Sequence, residues 1–251
     1  MIYPALEWGD DPLCGGKNFR VLGMPDQGTF AEYICVPKSS IYPKPMHLSW
    51  EQAAAFPLAG LTAWRAVVTH GEVKRGDKVL VTGIGGGAAG FALLWAKERG
   101  AEVIVTSSSQ DKIDTALKEG AVAGYNYSND SWVKELKSEI GPIDLVIDSG
   151  GGDGMNSVLD TLKNGGRYIF FGATQGNPSR GLNMAKLFFK QIRIQGTTMG
   201  RPEEFQEMMD FVSDNKLEPI IDQTFNFADA IAAHQRMLNS EQMGKIVLQF
   251  G

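Results

Sequence analysis

The chain has 251 residues, 43% of them hydrophobic and 21% charged, enough for one large or two modest domains that need no disulfide or metal staple. Its 24 basic and 29 acidic side chains leave a net charge of −5, and no stretch gathers Lys and Arg into the stripe that a nucleic-acid backbone demands. No apolar run reaches the roughly 18 residues of a membrane span, and residues 1–11 lack a basic segment followed by an apolar one, so the sequence reads as that of a cytoplasmic protein without a membrane partner.

Residues 1–50 are rich in Pro, Gly and aromatics, and short apolar runs such as residues 29–36 (Thr-Phe-Ala-Glu-Tyr-Ile-Cys-Val) suit strands bounded by turns. Cys14 and Cys35 sit in neither a CxxC pair nor a Cys/His cluster; they read as packing residues and leave zinc too few soft ligands. From Ser49 an alanine-rich helical pattern runs to Thr69, interrupted at Pro57. Strands at 78–82, 102–106, 122–127, 143–148, 166–171 and 192–195 then alternate with helical patterns at 88–99, 111–119, 155–162 and 203–212. That alternation implies βαβ crossovers and a doubly wound parallel sheet. After Pro219 the pattern changes to a short strand at 221–225, a helix at 228–238 and a last strand at 245–250.

The informative passage is Val79-Leu-Val-Thr-Gly-Ile-Gly-Gly-Gly-Ala-Ala-Gly90, a strand that passes through a glycine turn into an amphipathic helix. Gly85, Gly87 and Gly90 spell GxGxxG, and Gly83, Gly85 and Ala88 offer a second register. Either lets the backbone approach a pyrophosphate whose charge is met by free N–H groups at the helix start. NAD-binding versions of this device carry an acidic residue at the end of the second strand to hold the ribose hydroxyls. Here that place reads Thr106-Ser-Ser-Ser109, with Lys112 one helical turn beyond. Hydroxyls and an ammonium suit a 2′-phosphate, so NADP(H) is favoured over NAD(H); the alternative is that the serines only cap the next helix.

Together with Gly28-Thr-Phe-Ala-Glu-Tyr33, Leu58-Ala-Gly-Leu-Thr-Ala-Trp64, Val73-Lys-Arg-Gly-Asp-Lys-Val79, Asn126-Tyr127 and Gly244-Lys-Ile-Val247, these residues resemble the medium-chain dehydrogenase/reductase superfamily, and within it the zinc-type alcohol dehydrogenase-like and quinone oxidoreductase-like members. The resemblance implies an α/β fold in which a Rossmann domain at 51–218 interrupts a partial GroES-like catalytic domain made from residues 1–50 and 219–251. It implies that Thr62 approaches the nicotinamide, that Gly85, Gly86, Gly87 and Ala88 hold the pyrophosphate, and that Ser107, Ser108 and Lys112 hold the 2′-phosphate. Tyr127 would meet the adenosine end, and Gly172 and Thr197 the nicotinamide pocket. Relatives carry a longer stretch before the segment that begins here at Met1, so the sequence is expected to lack the first part of the catalytic domain. They are commonly dimers, which implies a homodimer.

The resulting expectation is an NADP(H)-dependent, zinc-independent oxidoreductase that passes hydride to a small carbonyl, enone or quinone. Two rivals stand beside it: a zinc-dependent NAD(H) alcohol dehydrogenase, and a non-catalytic cofactor-binding remnant. No acid or base is singled out. His47, His70 and His234 are scattered, Tyr3 and Tyr42 read as packing residues able to donate to a carbonyl, and Asp148, beside Ser149-Gly-Gly-Gly152, suits loop closure as well as cofactor contact.

Overall fold

The computed structural model describes residues 1–250. The chain forms two compact units, one of residues 65–198 and one of residues 1–64 with 199–250.

The terminal unit opens with two short antiparallel strands, β1 (Ala5–Leu6) and β2 (Arg20–Val21). Two helices follow, α1 (Trp50–Ala55) and α2 (Pro57–Trp64). Ser49 starts the first through a capping box: its hydroxyl accepts the Gln52 N–H at 3.1 Å and the Gln52 side chain accepts the Ser49 N–H at 2.8 Å, which satisfies two of the donors that a helix start leaves open. Proline at the first position of the second helix loses no intrahelical bond.

The central unit alternates regularly: β3 (Lys78–Val81), α3 (Gly87–Glu98), β4 (Glu102–Ser107), α4 (Gln110–Lys118), β5 (Ala123–Asn126), α5 (Trp132–Glu139), β6 (Ile143–Asp148), α6 (Met155–Thr161), β7 (Leu162–Phe170), α7 (Met184–Lys190) and β8 (Arg193–Gly196). All six strands are parallel in the order β5-β4-β3-β6-β7-β8. The strands at the centre, β3, β4 and β6, read as near-continuous Val, Ile and Leu because helices cover both faces, and Leu80, Ile104, Val146 and Tyr168 are fully buried with Leu136 of α5. Arg167 of β7 ties the edge where the strands begin, donating to Asp77 at 2.6 Å and to the carbonyls of Gly71 and Glu72 at 2.6 and 2.8 Å. Strand order reverses between β3 and β6. In open α/β sheets that reversal leaves a crevice beyond the carboxyl ends of the strands, where ligands bind.

The chain returns to the terminal unit with α8 (Pro202–Asn215), β9 (Ile221–Asn226), α9 (Ala230–Leu238) and β10 (Lys245–Gln249), the last two strands paired in parallel. Asp222 joins them to the helix between, accepting from Arg236 Nε and Nη2 at 2.6 and 2.9 Å and from the Met243 N–H at 3.0 Å.

Three features differ from the sequence expectation. The units divide at 64/65 and 198/199 instead of 50/51 and 218/219, because the flanking helices pack on each other: Met208 lies 3.3 Å from where a Gly60 side chain would start, and the Trp64 ring meets Phe211 with centroids 5.4 Å apart. Residues 29–36 form no strand and are mostly exposed, since no other described strand pairs with them and an extended run gains its hydrogen bonds only from a neighbour. Helices α5 and α7 were not anticipated. Trp132 and Leu136 bury one face of the first, whereas the second buries none of its side chains.

Shortening a residue at the sheet centre tests how much the central unit depends on this packing. Leu80→Ala is expected to lower unfolding stability by about 2–5 kcal/mol, measured by guanidinium titration; a loss under about 1 kcal/mol would show that Leu80 lies outside a tight core.

Candidate functional site

The glycine turn lies at the reversal point, between the end of β3 and the start of α3. Gly83 has φ +62° and is the one glycine of residues 83–90 in the left-handed region, so the tight turn falls on the first glycine of the Gly83/Gly85/Ala88 register. Ile84, fully buried, donates its N–H to the Thr106 carbonyl at 3.0 Å, and the Gly86 N–H returns to the Gly83 carbonyl at 3.1 Å. Gly86 is the N-cap and its residue type offers no side-chain acceptor. The N–H groups of Gly87 and Ala88 therefore open a 12-residue helix with no cap bond, and the positive end of its dipole suits an anion.

The loop after β4 is held firmly. The Ser109 N–H bonds the Ser107 hydroxyl at 3.1 Å, Asn126 Nδ2 donates to the Ser108 carbonyl at 3.1 Å, and the Tyr127 N–H donates to the Ser107 carbonyl at 3.1 Å. Ser107 is buried and Ser108 exposed. Ser109 is the N-cap of α4, yet its hydroxyl makes no capping bond. These bonds tie Ser107, Ser108 and Tyr127 into one loop cluster, with Lys112 in the first turn of the following helix α4, and the hydroxyls of Ser108 and Ser109 have no partner among the described residues.

Asp148, at the carboxyl end of β6, is buried to 4% exposure and receives four hydrogen bonds. Thr82 and Tyr168 each donate a hydroxyl to it, and the N–H groups of Gly150 and Gly151 lie at 3.1 and 3.0 Å. Four donors fill the acceptor sites of a carboxylate. Asp148 is accordingly a clamp joining β3, β6, β7 and the loop that follows, a role its sequence position left open. The phenol of Tyr168 is driven far above the ordinary tyrosine range, first by burial and then by the charge of Asp148 and its hydrogen bond.

Gly172 follows β7, where a Cβ would stand 2.9 Å from the Ser149 carbonyl. Thr197, just after β8, gives its N–H to the Phe170 carbonyl at 2.9 Å, while its buried hydroxyl has no partner. An orphaned buried hydroxyl costs free energy until something meets it, so both the open helix start and Thr197 fit a dinucleotide. Thr62 belongs to the terminal unit, where its hydroxyl contacts Met199 Sδ at 3.7 Å. Tyr3 donates to the Gly200 carbonyl at 2.7 Å and its ring meets Phe205, and Tyr42 packs on the same ring; both are packing residues. His47 bonds the Leu217 carbonyl at 3.0 Å.

The family description of a zinc-binding dehydrogenase matches residues 87–214. A zinc-type alcohol dehydrogenase-like protein of Leptosphaeria maculans is 36% identical over 99% of this chain and 74% of its own length. The chain belongs to the medium-chain dehydrogenase/reductase superfamily. Human quinone oxidoreductase is 28% identical over 96% of the chain and 75% of its own length. A solved NAD-dependent alcohol dehydrogenase superimposes with a TM-score of 0.92 at 35% identity, over all of this chain and 75% of that one. Membership of this superfamily makes the protein an NAD(P)-dependent oxidoreductase. The zinc implied by the family description finds no fitting set of side chains: Cys14 and Cys35 are both exposed, and no three His, Cys, Asp or Glu side chains converge among the described residues. No helix among them is long and apolar enough to cross a membrane.

The Tyr168–Asp148 pair predicts an alkaline limit. With its folded-state value raised, Tyr168 keeps stability fully present below the unfolded value of about 10, and stability falls as pH rises above that. Tyr168→Phe is expected to flatten this fall in urea titrations between pH 9 and 11 and to cost about 1–3 kcal/mol at pH 7 through the lost bond to a buried charge; an unchanged alkaline slope would show that other groups set it.

Proposed function

We propose that this chain is a cytoplasmic, NADP(H)-dependent and zinc-independent reductase acting on a small carbonyl, enone or quinone. The observation that carries the cofactor choice is the loop after β4: it ends in the hydroxyls of Ser107, Ser108 and Ser109 with Lys112 in the next turn, and no carboxylate stands before Asp111. A carboxylate there would repel a 2′-phosphate, whereas hydroxyls and an ammonium attract it. The two cysteines and three histidines do not converge, which supports chemistry without a metal. Likeness to human quinone oxidoreductase supports the substrate class. A homodimer is part of the same reading, by the habit of the superfamily.

The bound nicotinamide supplies the hydride. The residues of this chain bind and orient: Gly85, Gly86, Gly87 and Ala88 present backbone to the pyrophosphate, Ser107, Ser108 and Lys112 take the 2′-phosphate, and Tyr127 borders the adenosine end. Gly172 leaves room for the nicotinamide side and Thr197 offers it a hydroxyl. Holding the reacting carbon in place and excluding water is the protein's share of such a transfer. A second reading, NAD(H) dependence, is favoured by the NAD-dependent dehydrogenase of similar structure.

Titration of the purified protein with NADPH and NADH, followed by nicotinamide fluorescence with and without 9,10-phenanthrenequinone, decides between them. Tighter NADPH binding with quinone-dependent oxidation is the expected result; preference for NADH moves the reading to the second, and binding without turnover marks a non-catalytic protein. Lys112→Ala is expected to weaken NADPH about tenfold while leaving NADH nearly unchanged, and equal loss for both cofactors would remove Lys112 from the 2′-phosphate site.

A further inference from the structure

The terminal unit holds a recess of about 390 Å³, a size usual for small-molecule sites. One wall is residues 42–47, Tyr-Pro-Lys-Pro-Met-His, and the other is the face of α8 that carries Gln206, Met209, Asp210, Ser213 and Lys216. The first wall is pinned along its length. The Tyr42 N–H donates to the Met1 carbonyl at 2.8 Å, and the Tyr42 ring packs on Phe205 with centroids 4.8 Å apart. The Leu48 N–H donates to the Pro45 carbonyl at 3.2 Å, and His47 Nε2 bonds the Leu217 carbonyl at 3.0 Å. Pro43 and Pro45 fix the backbone between these bonds. Walls set before a ligand arrives lose little freedom when it binds.

The lining combines apolar surface with unbalanced positive charge. Pro45 and Met209 are buried, whereas Met46 is 95% exposed, so its thioether is left in water unless a ligand covers it. Thioethers pack well on the edges of aromatic rings. Lys216 closes α8 in the left-handed conformation, with φ +51°, a place where glycine or asparagine is unstrained and other residues are not. Its ammonium makes no hydrogen bond or ion pair among the described residues. Lys44 is held by the carbonyls of Pro45 and Leu48 and lies 5.4 Å from the Trp50 ring centroid, with no described carboxylate to neutralise it. Asp210, the one carboxylate of the lining, accepts from Gln206 Nε2 at 2.7 Å. Two ammonium groups against one carboxylate favour an anion. We propose that this recess is a binding site for a flat apolar carboxylate, with its ring against Met46, Met209 and Tyr42 and its carboxylate toward Lys216. No residue of the proposed dinucleotide site takes part, so the inference does not depend on the cofactor reading.

The test is a titration of the full chain, carrying carbon-13 in its methionine methyl groups, with 1-naphthoate and with the neutral 1-naphthalenemethanol of similar shape. Met46→Leu and Met209→Leu assign the two signals of the recess. Saturable shifts of both signals with 1-naphthoate are expected. Lys216→Gly, which removes the ammonium at a backbone conformation glycine adopts freely, is expected to weaken 1-naphthoate about threefold to tenfold and to leave 1-naphthalenemethanol unchanged, with Lys216→Arg retaining most of the affinity. Ser213→Trp, which fills the recess from α8, is expected to abolish the shifts from both compounds while the remaining methionine signals report an intact fold. Shifts confined to other methionines, or none, overturn the proposal. So do equal losses of both compounds in Lys216→Gly and binding that survives Ser213→Trp.

Discussion

A single buried carboxylate organises the carboxyl edge of the central sheet. Asp148 lies out of reach of water, and an ion so placed is strongly unfavourable unless its lone pairs are met. Here they are met by donors from three different parts of the fold: the Thr82 hydroxyl at the end of β3, the Tyr168 hydroxyl in β7, and two backbone N–H groups of the loop that follows β6. None of these donors can withdraw without leaving the charge short of a partner. The glycine turn after Thr82 and the glycine loop after Asp148 are therefore held in register with each other before any cofactor binds, which is the preorganisation that precise hydride transfer requires.

The two ends of the crevice are built differently. The loops after β4 and β5 carry the exposed Ser108 and Tyr127 and are anchored by bonds to Ser107 and from Asn126, with Lys112 half-buried in the first turn of α4. After β7 and β8 the residues are more tightly seated, with Gly172 pressed on the Ser149 carbonyl and Thr197 bonded through its N–H to β7. Under the proposed function, looser placement at the first end and tight placement at the second match what each would do: recognise a phosphate by charge, and hold a reacting ring by shape.

Much of the central unit was legible because parallel strands covered on both faces must be apolar throughout, and Val79, Leu80 and Val81, or Val103, Ile104 and Val105, announce that condition without reference to anything distant. The glycine turn was equally plain, though only the backbone shows that Gly83 takes the left-handed conformation and fixes the register. What was not legible depends on partners remote in sequence. Trp132 and Leu136 recur at a helical interval, but over a segment of eight residues dense in Lys and Glu that interval is easily missed. Residues 29–36 form a short apolar run that suits a strand, yet no local pattern tells whether a second strand will pair with them. The fourfold role of Asp148 needs Thr82 and Tyr168, 66 and 20 residues away.

The division of the chain also sets an order of assembly. The central unit is one continuous stretch, residues 65–198, and all six of its strands are joined by local crossovers. The terminal unit draws on both ends, and its core needs Phe205 and Met208 to cover Tyr3, Tyr42 and Gly60. During synthesis the first 64 residues emerge long before those partners exist, exposing apolar surface until residue 212 or so has left the ribosome. A chain of this topology can complete its sheet domain while residues 1–64 still lack the partners that cover them.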